Sequence, residues 1–82
     1  MWVRSQNKDF IKKVKSLRIS RCYKITGPGE IKWLDSYAIN DDEDVELGVY
    51  SSILKAKTVL DYIQSYIALG KKLYVLPQDN EV

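Results

Sequence analysis

Chemistry in this sequence would have to be built without histidine and around a single cysteine, Cys22. Histidine is the commonest side-chain base and the commonest metal ligand near neutral pH, so its absence removes Ser-His-Asp and Cys-His arrangements together. A lone cysteine makes neither a zinc cluster nor an internal disulfide, and without an activating neighbour it reads as a small half-buried side chain. Gly27-Pro28-Gly29 has the glycines of a phosphate loop but no following Gly-Lys-Ser/Thr, and it runs into a β-prone segment. The acidic run Asp41-Asp42-Glu43-Asp44 lacks the spaced ligands of a calcium loop and reads as a solvated turn. This inventory predicts no catalytic residue, no metal site and no cofactor, hence a protein that is not an enzyme.

Recognition is the chemistry left, and three groups of residues could supply it. The net charge is only +2, but it is unevenly placed. Arg4 to Lys24 holds eight basic residues against Asp9 alone, and Glu30 to Glu46 holds seven acidic residues against Lys32 alone. Neighbouring strands that pair these opposite charges explain the pattern most simply. The alternative is a nucleic-acid face using Lys12, Lys13, Lys15, Arg18 and Arg21, with aromatic rings interleaved for base stacking. The second group is Tyr62, Tyr66 and Leu69, spaced to share one side of a helix as an aromatic strip for another protein. The third is Trp2 and Arg4 on a first strand expected at a sheet edge, where a partner could add a strand, as it could at Leu73 to Leu76.

These groups must be positioned by strands and one helix. Trp2 to Gln6 is short and β-prone, and Asn7-Lys8-Asp9 turns after it. From Leu17 the chain alternates, with Leu17, Ile19, Tyr23 and Ile25 on one face, interrupted by Arg21. One long bent strand, or two broken near Lys15 or Arg21, fits the stretch from Phe10 to Ile25. Gly27-Pro28-Gly29 closes a hairpin onto Ile31 to Ile39. After the acidic turn, Val45, Leu47 and Val49 alternate as a strand with one covered face. The period then changes to 3.6: Ile53, Ala56, Val59, Leu60, Ile63 and Ile67 form a helical stripe, capped at Ser51 or Ser52 and stopped at Gly70. Leu73 to Leu76 reads as a last strand ended by Pro77. The fold class predicted is α+β, one small antiparallel sheet, a meander of about four to five strands, with one helix packed on a face and a final short strand.

The 82 residues suffice for one domain, residues 1–82, with 78–82 as a flexible polar tail. No segment approaches the roughly 18–20 apolar residues of a membrane helix, and the amino terminus has no hydrophobic signal core. With one cysteine, these features point to a cytoplasmic protein and no membrane partner.

Met1-Trp2-Val3-Arg4-Ser5-Gln6 and Leu47-Gly48-Val49-Tyr50-Ser51-Ser52 also stand out, with Ala56, Val59-Leu60-Asp61, Ile63-Gln64 and Leu76-Pro77. Together they resemble a group of short proteins, without assigned activity, of Gram-positive bacteria and their phages or mobile elements. Those chains open with Trp-Ile/Val-Arg-Ser-Gln and carry Leu-Gly-x-Tyr before a helix. The resemblance covers both ends and the helix, leaving Lys8 to Glu46 unmatched, and Ile53-Leu54-Lys55 stands where acidic residues complement the helix start. It implies a bacterial or phage accessory protein and carries over no functional residue. The reading as a whole is a protein-interaction module, binding another protein or itself, with nucleic-acid binding through residues 4–24 as the alternative.

Overall fold

The computed structural model describes all residues from Met1 to Val82. Six strands and one helix follow in the order β1 (Trp2–Arg4), β2 (Ile11–Lys13), β3 (Leu17–Gly27), β4 (Glu30–Asp41), β5 (Glu46–Tyr50), α1 (Ile53–Ala68) and β6 (Leu73–Val75). The α+β class is as the sequence indicates. The single sheet is not: the strands divide into two three-stranded sheets, β2-β1-β6 and β3-β4-β5. The chain leaves extended structure between Lys13 and Leu17, so β2 folds back onto β1 while β3 begins a separate ladder with β4. After the helix, β6 returns alongside β1 and pairs with it in parallel.

The helix starts and stops on local chemistry. Ser52 Oγ accepts the backbone N–H of Lys55, and Ser52 has extended dihedrals, as an N-cap requires. At the other end Gly70 adopts φ +73°, and the N–H groups of Gly70 and Lys71 donate to the carbonyls of Ile67 and Tyr66. That is the Schellman pattern, which needs a residue free to take positive φ. The first turn of α1 holds no acidic residue. Its complement comes instead from the carboxy terminus: Asp79 accepts the N–H of Ser51, and Lys55 Nζ donates to the Asp79 carbonyl at 2.9 Å. Residues 78–82, expected as a flexible tail, thus form a 3-10 turn over Asp79–Glu81, docked at the helix start, with Val82 packed against the core. These contacts lower the Asp79 pKa, the Ser51 N–H first among them.

The core lies between the helix and the inner faces of both sheets. Val3, Ile39, Tyr50, Ala56, Val59 and Leu76 are each at most 1% exposed. β5 departs from simple alternation. Ile39 pairs with Gly48 and Asn40 with Glu46, so Leu47 is an extra residue in the ladder. Leu47 and Tyr50 are therefore both buried, whereas Val49, expected to share a face with Leu47, is only half-buried.

The two sheets are joined at a seam built around Gln6. Its side-chain amide behaves as a surrogate peptide: Nε2 donates to the Val49 carbonyl and Oε1 accepts the Val49 N–H, both at 2.9 Å. The Gln6 backbone N–H donates to the Leu47 carbonyl at 2.8 Å. Gly48 leaves room for this approach, because a Cβ there would lie 3.1 Å from the Gln6 Cβ and 3.2 Å from Leu76 Cδ1. The Tyr50 hydroxyl closes the seam by donating to the Pro77 carbonyl at 2.8 Å. Burial pushes its pKa well above the ordinary tyrosine value.

The acidic turn is not the solvated tip its composition suggests. Asp41 is 1% exposed, and its Oδ1 accepts the N–H groups of Glu43 and Val45, shaping the turn that carries Asp44 at φ +61°. Its Oδ2 meets the ammonium of Lys12, which projects from the inner face of β2 and also reaches Glu43 at 3.0 Å. Lys12 holds the Asp41 carboxyl below its usual range, against the opposing effect of burial. One ion pair therefore pins the first sheet to the β4–β5 turn.

Candidate functional site

Three-residue strands show both of their faces plainly. In β2-β1-β6 the central residues Lys12, Val3 and Tyr74 point inward, and the flanking residues point out. The ladder sets Trp2 beside Lys13 and Leu73, and Arg4 beside Ile11 and Val75. The outer face is thus a grid of six side chains in which four are apolar, Trp2, Ile11, Leu73 and Val75, each between 43% and 51% exposed. The other two, Arg4 and Lys13, are cationic, and the grid contains no carboxylate. Arg4 is steadied by donating through Nε and Nη2 to the Lys8 carbonyl, a geometry that the positive φ of Lys8 helps present.

Trp2 and Arg4 accordingly lie on a sheet face and not at a sheet edge. β1 is the central strand, because β6 occupies the side that the sequence left open. β6 itself is an edge strand. Ile11 is the member of the grid that sequence reasoning missed, while Leu73 and Val75 were singled out only as an edge for strand addition and not as part of a face. A strand of three residues alternates once, and one alternation cannot say which side a helix will cover.

The tyrosine strip is partly a lid on the core. Tyr66 stands edge-on against Tyr74, with ring centroids 4.7 Å apart and planes at 82°. Tyr74 lies beneath it at 6% exposure, and desolvation with the nearby tyrosines pushes its pKa up to about 12. Tyr62 and Tyr66 remain half-exposed, and Leu69, the C-cap residue, is 72% exposed.

The five cations assigned to a nucleic-acid face are not brought together. Lys12 points inward to Asp41. Arg18 pairs with Asp44, and Arg21 donates to the Leu34 carbonyl at 2.9 Å and meets Asp35 at 3.3 Å. Lys13 belongs to the sheet grid, and Lys15 lines a groove. The charge asymmetry is thus largely resolved by pairing across the fold, although these exposed pairs contribute little to stability individually.

Beyond β5 the β3–β4 hairpin continues alone. β5 pairs only with Tyr37 to Asn40, so the ribbon from Tyr23 to Trp33 has no third strand. It extends the molecule to 46 × 23 × 20 Å. Tyr23 lies opposite Trp33 and Ile25 opposite Ile31, which places all four on one face. The two rings meet edge-on with centroids 5.7 Å apart. Of the breaks expected near Lys15 or Arg21 only the first occurs, because β3 runs unbroken through Arg21, where the irregularity is a bulge in β4. β2 ends before Lys15, and between Arg21 and Tyr23 the ladder sets three residues of β4 against Cys22. Pro28-Gly29 closes the hairpin with Gly29 at φ +71°.

A shallow apolar groove of about 290 Å³ runs between α1 and the β2–β3 connection, lined by Met1, Val14, Leu17, Leu60, Ile63 and Ile67, with Lys15 at its rim. It holds no cluster of titratable groups. No group of acidic, cysteine or histidine side chains is placed to hold a metal ion, and no helix is long and apolar enough to cross a membrane. No protein-family model, curated protein or solved structure matches the chain.

Proposed function

We propose that the chain is a non-enzymatic protein-interaction module whose docking surface is the outer face of β2-β1-β6. One observation carries the reading: Trp2, Leu73 and Val75 lie side by side on the outward face of a hydrogen-bonded sheet, with Ile11 diagonal to Trp2 and Arg4 and Lys13 as the only charges of the grid. A patch of this kind, rimmed by polar groups, marks an interaction site more often than a bare surface. Tryptophan and arginine are the residue types that dominate binding at interface centres. The charge selects the partner: a protein segment with apolar side chains and carboxylates placed to meet Arg4 and Lys13. The sheet is narrow, so an amphipathic helix or a short strand beside β6 fits it.

The alternative, nucleic-acid binding through residues 4–24, loses most of its support once Lys12, Arg18 and Arg21 face carboxylates. The phage or mobile-element origin suggested by the motif residues is compatible with an accessory role of this sort.

The test is site-specific crosslinking in the native host, with a photoreactive residue at Leu73 and, as control, at Lys57 on the exposed side of α1. A discrete adduct from Leu73 that vanishes on Arg4→Glu, with the melting curve unchanged, is the expected result. Equal labelling from both positions, or an adduct indifferent to Arg4→Glu, refutes the docking face.

A further inference from the structure

We infer that the β3–β4 arm is a self-association surface, on which a second copy of this chain stacks its own arm face to face. The inference uses residues separate from the sheet grid and stands or falls apart from it.

The arm's apolar face is its least explained feature. Tyr23, Ile25, Ile31 and Trp33 are 56%, 75%, 52% and 53% exposed, although they continue the alternation that buries Ile39 and half-buries Ile19 and Tyr37 nearer the body. A two-stranded ribbon is marginal in water unless something covers its apolar side. Within this chain nothing does, since β5 stops at Tyr37 and the helix packs on the body.

The chemistry of the face selects its occupant. These four side chains carry no charge, and Arg21 and Asp35 next to them pair with each other, so an acidic or basic partner gains little there. The reverse face has the opposite character: Lys24 and Lys32 sit directly opposite each other, a like-charge pair that disfavours stacking on that side. Edge pairing is disfavoured as well. Two β3 strands joined antiparallel about Arg21 would set Arg18 of each against Lys24 of the other. Face-to-face stacking of the two apolar rungs avoids both of these like-charge contacts.

The face is also self-complementary in shape. The aromatic rung and the isoleucine rung are two residues apart, about 7 Å along the ribbon. A two-fold axis between them lays the aromatic rung of each copy over the isoleucine rung of the other, large on small, in a closed isologous contact. With about 200 Å² for a whole aromatic side chain and about half that for isoleucine, the four residues offer about 350 Å² per copy. The four residues of two copies together bury about 700 Å², short of the roughly 1,000 Å² at which stable specific interfaces begin, so the dimer is a weak, concentration-dependent one.

The experiment is sedimentation equilibrium of the full chain from about 1 μM to about 1 mM, together with fluorescence in a Trp2→Phe background, where Trp33 is the one remaining tryptophan. The expected result is a monomer–dimer equilibrium insensitive to salt, a blue shift of Trp33 with the same midpoint, and weakening by about 100-fold or more in Ile25→Asp. Ile25→Ser serves as a second variant and should weaken the dimer less, both variants keeping the wild-type melting profile. A monomer throughout the range overturns the inference while leaving the sheet grid untouched. A dimer that survives Ile25→Asp but is lost in Arg4→Glu also overturns it, and moves self-association to the grid.

Discussion

Replacing Gln6 by alanine removes the hinge between the two sheets, and the structure allows the cost to be worked out. The side chain makes two good hydrogen bonds to the backbone of Val49, each 2.9 Å, and a longer one of 3.3 Å to the Pro77 carbonyl. A net hydrogen bond contributes about 1 kcal/mol, and a half-buried peptide group left without a partner costs somewhat more. Val49 is half-buried, so water recovers part of the loss. The expected destabilisation is about 2–3 kcal/mol, a large fraction of the roughly 4–12 kcal/mol usual for a chain of this length. A melting temperature lower by about 10–20 °C follows from that figure. Urea unfolding followed by circular dichroism measures it directly, with an unchanged slope showing that the native fold is retained. Gln6→Glu sharpens the test: the ionised carboxylate still accepts the Val49 N–H but sets an oxygen against the Val49 carbonyl, so at neutral pH it should cost at least as much as alanine. A Gln6→Ala shift below about 0.5 kcal/mol, the range of an ordinary surface change, would refute the surrogate-peptide role.

Two further outcomes follow from the core. The folded Asp41 carboxyl is held below its usual 3.8 by Lys12, so its stabilising effect is complete above the unfolded pKa and disappears as pH falls through the lower folded value. Acid unfolding should therefore develop below about pH 4, and Lys12→Met should move its midpoint upward; an acid midpoint unchanged by Lys12→Met would contradict the pairing. Tyr66→Ala should cost about 1–2 kcal/mol, because an edge-to-face aromatic pair contributes about 0.5–1.5 kcal/mol beyond the area it covers. If the variant melts like wild type, Tyr66 is not a lid over Tyr74, and the strip of Tyr62, Tyr66 and Leu69 returns as a free surface.

The legibility of this fold tracks how local its causes are. The helix was readable almost to the residue, since its cap at Ser52 and stop at Gly70 depend on neighbours within a turn. The hairpin at Pro28-Gly29 was readable for the same reason. The division into two sheets was not, because it depends on β6 returning beside β1 across some seventy residues of sequence. That same return makes β1 central and turns Trp2 and Arg4 from an edge into a face. Asp41 misled for a related reason: four acids in a row look solvated, and only Lys12, far away in sequence, explains the burial of one of them. Leu47 shows the limit of periodicity, since a single bulge residue buries both it and Tyr50.

The residues that drew attention by resemblance and those that form the candidate surfaces overlap very little, and the structure gives the physical reason. Gln6, Leu47, Gly48, Tyr50, Leu76 and Pro77 come from three separate stretches and converge on one seam, where hydrogen-bond geometry and a missing Cβ leave little freedom of substitution. Such positions specify how the sheets join. The outward residues obey no comparable constraint, because their contacts within the chain are few and leave each of the apolar ones 43% or more exposed. A small domain has a small core to fill: eleven hydrophobic residues are buried here, and fifteen large ones are exposed. If that excess were scattered, it would need no explanation. Eight of the fifteen instead fall into two groups of four, each on one face of adjacent strands, one accompanied by cations and the other flanked by the paired Arg21 and Asp35. Burial within the fold does not account for that ordering, and crosslinking from Leu73 and sedimentation of Ile25→Asp test the two faces separately.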